Sequence, residues 1–201
     1  MNAKEKSKTE KARMFLALDL PTPVHEDIMD WGREVLTDPA LKPVPAENLH
    51  VTLAFFGDRP LAEVDRIARA IEWWAEIPVM LELGGPVGRP ERGRAQLIAL
   101  PVLGNPVPGR RADLVEALAY EGLFEPEERP YWPHVTVARV RAEGHGSRCP
   151  MQVEVPSGPS PTAGFGWFNA VRVSLYRSEL QPQGAVYSPL AQVELPGAGW
   201  Q

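Results

Sequence analysis

The sequence predicts an α+β fold built mainly from antiparallel sheet. Strand-like and helix-like stretches do not alternate cleanly, as a doubly wound parallel sheet would require. Late strand patterns follow one another with only turn residues between them. A short signature, His-Val-Thr-aliphatic-Ala, also occurs twice, in "LHVTLAFFG" and "WPHVTVARV". Duplication of a half-domain, with one such strand donated by each half across a cleft, accounts for the repeat.

The elements read in order as follows. "MFLALDLP", ended by Pro21, is an apolar run too short for a helix and suits a buried strand. "PVHEDIMDWGREVL" spaces Val24, Ile28, Trp31 and Val35 at helical intervals behind Pro23. "LHVTLAFFG" is β-branched and aromatic, and closes at Gly57. "PLAEVDRIARAIEWWAEI" puts Leu61, Val64, Ile67, Ala68, Ile71 and Trp74 on one helical face. "VMLELGGPVG" and "AQLIALPV" read as a hairpin or as neighbours in one sheet, joined by "RPERGR". "RRADLVEALAYE" is a further helix, repeating apolar positions at Leu114, Val115, Leu118 and Ala119. Residues 143–166 are rich in Gly, Pro and Ser, and predict an exposed excursion with one short strand at "MQVEV". "FNAVRVSLYRS" and "VYSPLAQVEL" close the chain as strands around the turn "QPQG".

Composition narrows the function. With 201 residues and 44% apolar content the chain can bury a sizeable core, as one domain or two closely packed halves. Lys and Arg total 21 against 26 Asp and Glu, a formal charge of −5, which disfavours a protein that grips long nucleic acid through many phosphates. A single terminal phosphate is compatible with that balance. One cysteine, Cys149, cannot form an internal disulfide, and no zinc-type spacing surrounds it. Neither a secretory signal nor a membrane span is present. These features predict a cytoplasmic protein without membrane partners: a disordered charged tail over residues 1–12 and a single domain over 13–201.

Side chains alternate along a strand, so His50, Thr52 and Ala54 face one way while Val51, Leu53 and Phe55 face the other. The same parity groups His134, Thr136 and Ala138 against Val135 and Val137. A histidine or threonine on one strand is ordinary, but two of the four histidines share this grammar. A facing pair of imidazoles supplies base and acid near neutral pH, and hydroxyls donate to an anion between them. Phosphodiester cleavage needs that set: a base for water, an acid for the leaving alkoxide, and donors for the remaining oxygens. It requires no metal or other cofactor. Metal binding by the two imidazoles lacks a nearby carboxylate or thiolate at ligand spacing.

The paired "HVTL" and "HVTV" elements resemble the two-histidine phosphoesterase superfamily. Their flanks resemble its bacterial branch, the RNA 2′,3′-cyclic phosphodiesterases once named 2′-5′ RNA ligases. "RMFLALDLP", "ENLHVTLAFFGD", "PHVTVARV" and "VSLYRSELQPQGAVYSPL" carry the likeness, over about residues 13–195. The resemblance implies a bilobal α+β fold, with two pseudo-symmetric lobes around a central cleft and helices outside. It implies opening of a terminal 2′,3′-cyclic phosphate to a 2′-phosphomonoester. His50 would then be the acid for the leaving 3′ oxygen and His134 the base for water, with Thr52 and Thr136 holding phosphate oxygens. The partner is an RNA 3′ terminus or a small cyclic nucleotide, met by a monomer. The same machinery acting on a 2′-5′ linked or small cyclic nucleotide, and a non-catalytic RNA-end binding module, are the alternatives. A Walker loop and a dinucleotide glycine fingerprint are both absent, which disfavours a nucleotide-driven ligase.

Arg139 matches the arginine after the second family signature, and its fork suits a phosphate. It lies an odd number of residues from His134, so a regular strand would turn it away from the cleft unless a bulge intervened. Phosphate contact and a structural ion pair both remain open for it. Trp132 stands where related sequences often carry a basic residue, and it shares parity with His134, as Phe56 does with His50. Both aromatics read either as base-stacking platforms or as core. Arg89, Arg92 and Arg94, with Arg110 and Arg111, are the basic clusters, read as solvated turns or as the path of an RNA strand. His25 and His145 are assigned no role.

Overall fold

The apolar runs fold into strands and helices whose bounds fix where the histidines stand. The structure, a computed structural model, describes residues 10–91, 94–104, 106–144, 147, 149–163, 166–182 and 184–197. In chain order the elements are β1 (Lys11–Asp19), α1 (Thr22–Val35), β2 (Leu41–Pro43), β3 (His50–Pro60), α2 (Val64–Trp74), β4 (Met80–Leu81) and β5 (Val87–Arg89). They continue with β6 (Leu97–Pro101), α3 (Pro106–Tyr120), β7 (His134–Val140), β8 (Phe168–Asn169), β9 (Arg172–Gln181) and β10 (Gly184–Glu194). Single 3₁₀ turns at Ala46–Asn48 and Leu61–Glu63 lead into β3 and α2.

Eight strands make one sheet in the order β10-β9-β1-β3-β7-β6-β5, with β2 also on β7, and every pairing is antiparallel. A separate two-stranded sheet pairs β4 with β8. The large sheet is two halves, β10-β9-β1-β3 and β7-β6-β5 with β2, that meet only where Val51 pairs with Val135. Each histidine strand is thus the inner strand of its half. Val51 and Val135 are fully buried at the seam. Burying each such side chain is worth about 1.5–3 kcal/mol, so the seam is a packed joint and not merely a hydrogen-bonded one.

Strand polarity then divides the sheet by face. Val51, Leu53, Val135 and Val137 join Val24 and Ile28 of α1, Ile67, Ile71 and Trp74 of α2, and Leu114 and Leu118 of α3 in one core. His50, Thr52, His134 and Thr136 lie half-buried on the other side. A β-bulge interrupts the alternation early in each histidine strand, and in β3 a second shift leaves Phe56 extra between Phe55, opposite Phe15, and Gly57, opposite Met14. Leu16 pairs with Ala54 and Ala17 with Thr52, leaving Leu53 as the extra residue in β3. Ile98 pairs with Ala138 and Ala99 with Thr136, leaving Val137 extra in β7. Such a bulge flips the face of the residues after it, up to the next irregularity. The two strands consequently share one burial sequence over seven residues: half-buried, buried, half-buried, buried, buried, exposed, half-buried.

Several boundaries depart from the sequence reading. Lys11 and Ala12, expected in the tail, open β1, where Ala12 is buried opposite Arg59; residues 1–9 lie outside the described residues. The run 79–88 divides, its first part pairing with β8 and its second forming a hairpin with β6. The expected strand at "MQVEV" does not form; Ala142 bridges Pro150, and Val153 and Val155 lie against the core without a ladder. Pro150 and Pro156 flank the run and lack amide donors, so a ladder there could not extend past either end. The excursion is also less exposed than expected: Thr162 is buried, and a Cβ on Gly88 would stand 2.7 Å from the Val155 side chain. No described helix is long and apolar enough to cross a membrane.

Candidate active site

Both imidazoles are oriented by the same local device. In each, Nδ1 lies on the backbone carbonyl two residues earlier: 2.9 Å from Asn48 O for His50 and 2.8 Å from Trp132 O for His134. A carbonyl accepts only, so Nδ1 carries the proton and Nε2 is the nitrogen left for chemistry. Nε2 of His50 lies 3.1 Å from Thr52 Oγ1. Antiparallel pairing about Val51 and Val135 directs His50 toward Thr136 and His134 toward Thr52.

These side chains line one cavity of about 770 Å³, together with Arg139, Phe55, Phe15, Arg13, Lys42 and Tyr187. That size suits a nucleotide-sized ligand. Arg139 reaches it because the Val137 bulge reverses its parity, and Phe55 because the Leu53 bulge does the same in the other half. Arg13 lies over the Phe55 ring at 4.9 Å. The β9–β10 hairpin supplies the opposite wall, with Leu180, Val186 and Tyr187. Asn48 Nδ2 donates to Ala185 O at 2.9 Å, tying that hairpin to the approach of His50.

Support continues behind the lining. Where β3 leaves β7 after Val51, its free carbonyls accept from side chains: Thr52 O from the Tyr131 hydroxyl at 2.8 Å, and Leu53 O from Arg111 Nε at 2.7 Å. Arg111 also caps the Tyr131 ring at 4.2 Å. Phe15 is tilted against His50 at 5.0 Å, and Tyr187 meets His50 edge-on at 5.5 Å. Asp19, opposite His50 in β1, is buried and accepts from Arg172 Nε at 2.6 Å, Ser174 Oγ at 2.7 Å and the Tyr176 hydroxyl at 2.9 Å.

Enclosure sets the protonation of both rings. Burial pulls His50 down to about 4; its bond to Asn48 O and the charge of Asp19 oppose that, while His134 and Arg139 add to it. Burial also lowers His134, with Arg89 and Arg139 adding to the effect against its bond to Trp132 O. In the free protein near pH 7 both imidazoles are neutral. An anion in the cavity favours protonation of one of them. Among the described residues no three His, Cys, Asp or Glu side chains form a group that could hold a metal ion.

The structure thus brings His50, Thr52, His134, Thr136 and Arg139 together. Phe56 is displaced from the role sequence parity offered it: the Leu53 bulge turns it toward the core, where it meets Phe124 edge to face at 5.8 Å. Trp132 does not line the cavity. It stacks on His134 with ring centroids 4.2 Å apart and planes at 17°, and Arg89 lies 4.1 Å over its ring. The basic clusters serve the scaffold: Arg110 donates to Trp74 O, Arg94 pairs with Glu143, and Arg111 holds the β3 carbonyl. Arg92 and His145 fall outside the described residues. Sequence reasoning missed Phe55, Phe15, Tyr187, Asn48, Arg13 and Lys42 as site residues. The Asn48 and Trp132 positions, each two before a histidine, were visible in the repeat.

Two antiparallel half-sheets that each turn one His-x-Thr pair into a shared cavity define a two-histidine phosphoesterase architecture. Residues 18–87 match the model of the LigT-like phosphoesterase family. An RNA 2′,3′-cyclic phosphodiesterase of Thermus thermophilus is 30% identical over 200 residues, covering 92% of this chain and 91% of that protein. A second protein of that name, from Methanothermobacter thermautotrophicus, is 30% identical over 188 residues, covering 90% and 97%. A solved structure from Thermus thermophilus superposes with a TM-score of 0.76 at 28% identity, over 92% of this chain and 98% of that one. The chain belongs to the LigT-like phosphoesterase family.

Proposed function

We propose that this protein opens the 2′,3′-cyclic phosphate at an RNA 3′ end to a 2′-phosphomonoester, without a metal ion. The phosphate lies between the two half-sheets. His134 Nε2 takes a proton from water, the water oxygen bonds to phosphorus, the P–O3′ bond breaks, and His50 Nε2 gives its proton to the departing 3′ oxygen. Thr52, Thr136 and Arg139 donate to the non-bridging oxygens. The terminal base lies against Phe55.

One observation carries this reading: both Nδ1 atoms are committed to backbone carbonyls, so two Nε2 atoms from separate half-sheets serve one cavity that also holds two hydroxyls and a guanidinium. A binding module needs the cations and hydroxyls but not two matched imidazoles. His50 is neutral in the free protein, and the substrate's own negative charge supplies the pull that protonates it. The cavity volume supports recognition of an end nucleotide, and a net charge of −5 fits a short substrate better than a long tract.

The test is to incubate the protein in chelator-treated buffer with an oligonucleotide ending in a 2′,3′-cyclic phosphate, and in parallel with a small cyclic nucleotide. The expected product gains one water and carries a phosphatase-sensitive 2′-phosphate. An unchanged oligonucleotide, or a 3′-phosphate product, contradicts the proposal; turnover of the small nucleotide alone transfers the mechanism to that substrate.

A further inference from the structure

The two histidines are orientated alike but backed differently. Against His50 are the aromatic rings of Phe15 and Tyr187, both lining the cavity, with the buried Asp19 opposite it in β1. Behind His134 is a three-layer stack of imidazole, indole and guanidinium. His134 lies on Trp132 with centroids 4.2 Å apart, and the Arg89 guanidinium carbon lies 4.1 Å from the same centroid. Groups at those distances cannot share a face, so the indole is sandwiched.

An indole face alone would attract a protonated imidazole, because the ring quadrupole favours a cation. Here the second face is already occupied by one. Protonating His134 would set two like charges across a single π system. The neutral imidazole keeps the stacking without that repulsion. Arg89 is held there by the ring more than by hydrogen bonds: its Nε is buried without a hydrogen-bond partner among the described residues, and Glu91, largely exposed, takes one guanidinium end.

We propose that Arg89 is a positioning residue for His134: its guanidinium, stacked on the far face of Trp132, holds the near-face imidazole neutral and so reserves it as the proton acceptor. The assignment rests on the reading of His134 as the base. Other charges face His134 too. Arg139 comes from its own strand, His50 from β3, and Arg13, Lys42 and Glu47 line the cavity from β1, β2 and the turn before β3. Arg89 differs from them in approaching from outside the cavity, where a phosphate does not neutralise it. Burial of the His134 ring is the larger effect in the same direction, and Arg89 adds to it.

The experiment is an NMR titration of the His134 ring in the full-length, substrate-free protein, for wild type, Arg89→Gln, Arg89→Lys and Glu91→Gln, with thermal unfolding to establish that each is folded. Arg89→Gln is expected to raise the His134 midpoint by about half a unit to one unit. Arg89→Lys should leave it near the wild-type value. Glu91→Gln, a surface change that removes the partner of Arg89, should lower it by a few tenths of a unit, on the order expected of an exposed pair. Opposite shifts from the two neutralisations are a pattern that loss of packing does not produce. An unmoved midpoint in folded Arg89→Gln, an equal rise in Arg89→Lys, or a rise in Glu91→Gln would overturn the proposal. Since no substrate is present, the titration succeeds or fails separately from the RNA-end assay.

Discussion

Phe55 and Arg139 occupy the same place in the two half-sheets: each is the fifth residue after its histidine, and each is turned into the cavity by a bulge two residues earlier, at Leu53 or Val137. Equivalent positions thereby carry unlike chemistry, a π face on one side and a guanidinium on the other. A substrate with a base at one end and a phosphate at the other is matched to that pair.

Phe55→Ala is expected to raise KM about tenfold with kcat little changed, since stacking of one base is worth about 1–3 kcal/mol. Phe56→Ala should instead lower stability by about 3 kcal/mol, the lower end for a truncated Phe, because its ring packs on Phe124. Steady-state kinetics and urea unfolding of both variants separate the roles; an exchange of phenotypes would restore the simple alternation of the strand.

For Arg139→Met, loss of a charge-assisted contact worth about 1.5–3 kcal/mol predicts a ten- to hundredfold fall in kcat/KM. The same assay on Arg139→Lys should recover only part of it, since an ammonium cannot reproduce the fork. Wild-type kcat/KM in Arg139→Met would assign Arg139 a surface role.

The pH dependence follows from the direction of both shifts. Turnover needs one ring protonated and the other neutral, so kcat/KM falls when both are protonated and falls again when both are neutral. Both free-protein values lie below 6.5, that of His50 at about 4, so the kcat/KM maximum is expected below pH 6.5. The kcat profile should move upward, because bound phosphate favours the charged ring. Stability carries the matching sign: the unfolded histidines take up protons near 6.5 that the folded ones refuse, so stability is lost as pH falls from about 6.5 toward 4. A kcat/KM maximum above pH 7 would contradict the enclosure of these rings.

Asp19→Ala strands the three donors of Arg172, Ser174 and Tyr176 in a buried setting and is expected to destabilise the fold by about 3–5 kcal/mol. Asp19→Asn retains an accepting oxygen and should cost less. Chemical denaturation of the two variants reads the difference directly, and equal losses would mean that the carboxylate charge, not its acceptor geometry, holds the network.

The sequence disclosed His50, Thr52, His134 and Thr136 because two copies of one strand grammar are improbable without a shared role, and because parity holds up to the first irregularity. It left Phe56 open between a stacking platform and core, and passed over Phe55, because a bulge is a tertiary event: Leu53 and Val137 look like ordinary strand aliphatics. Arg139 was legible from family likeness and opposed by alternation, and the bulge reconciles the two. Trp132 read either as a base-stacking platform or as core; its faces are taken by His134 and by Arg89, which lies 43 positions earlier in the chain and had no local sign of that partner. The helices emerged with shifted ends. "MQVEV" looked like a strand from composition, but it is bracketed by Pro150 and Pro156 and forms no ladder.

The most direct measurement is metal-free turnover of a 2′,3′-cyclic phosphate RNA end by His50→Ala, by His134→Ala and by the double variant. Each single change is expected to lower kcat by about 10²- to 10⁴-fold with a smaller effect on KM, and the double variant to be little slower than the slower single, as for groups that work as a unit. Wild-type kcat in either single variant, or activity abolished by a chelator and restored by zinc, would contradict acid–base cleavage between the two half-sheets.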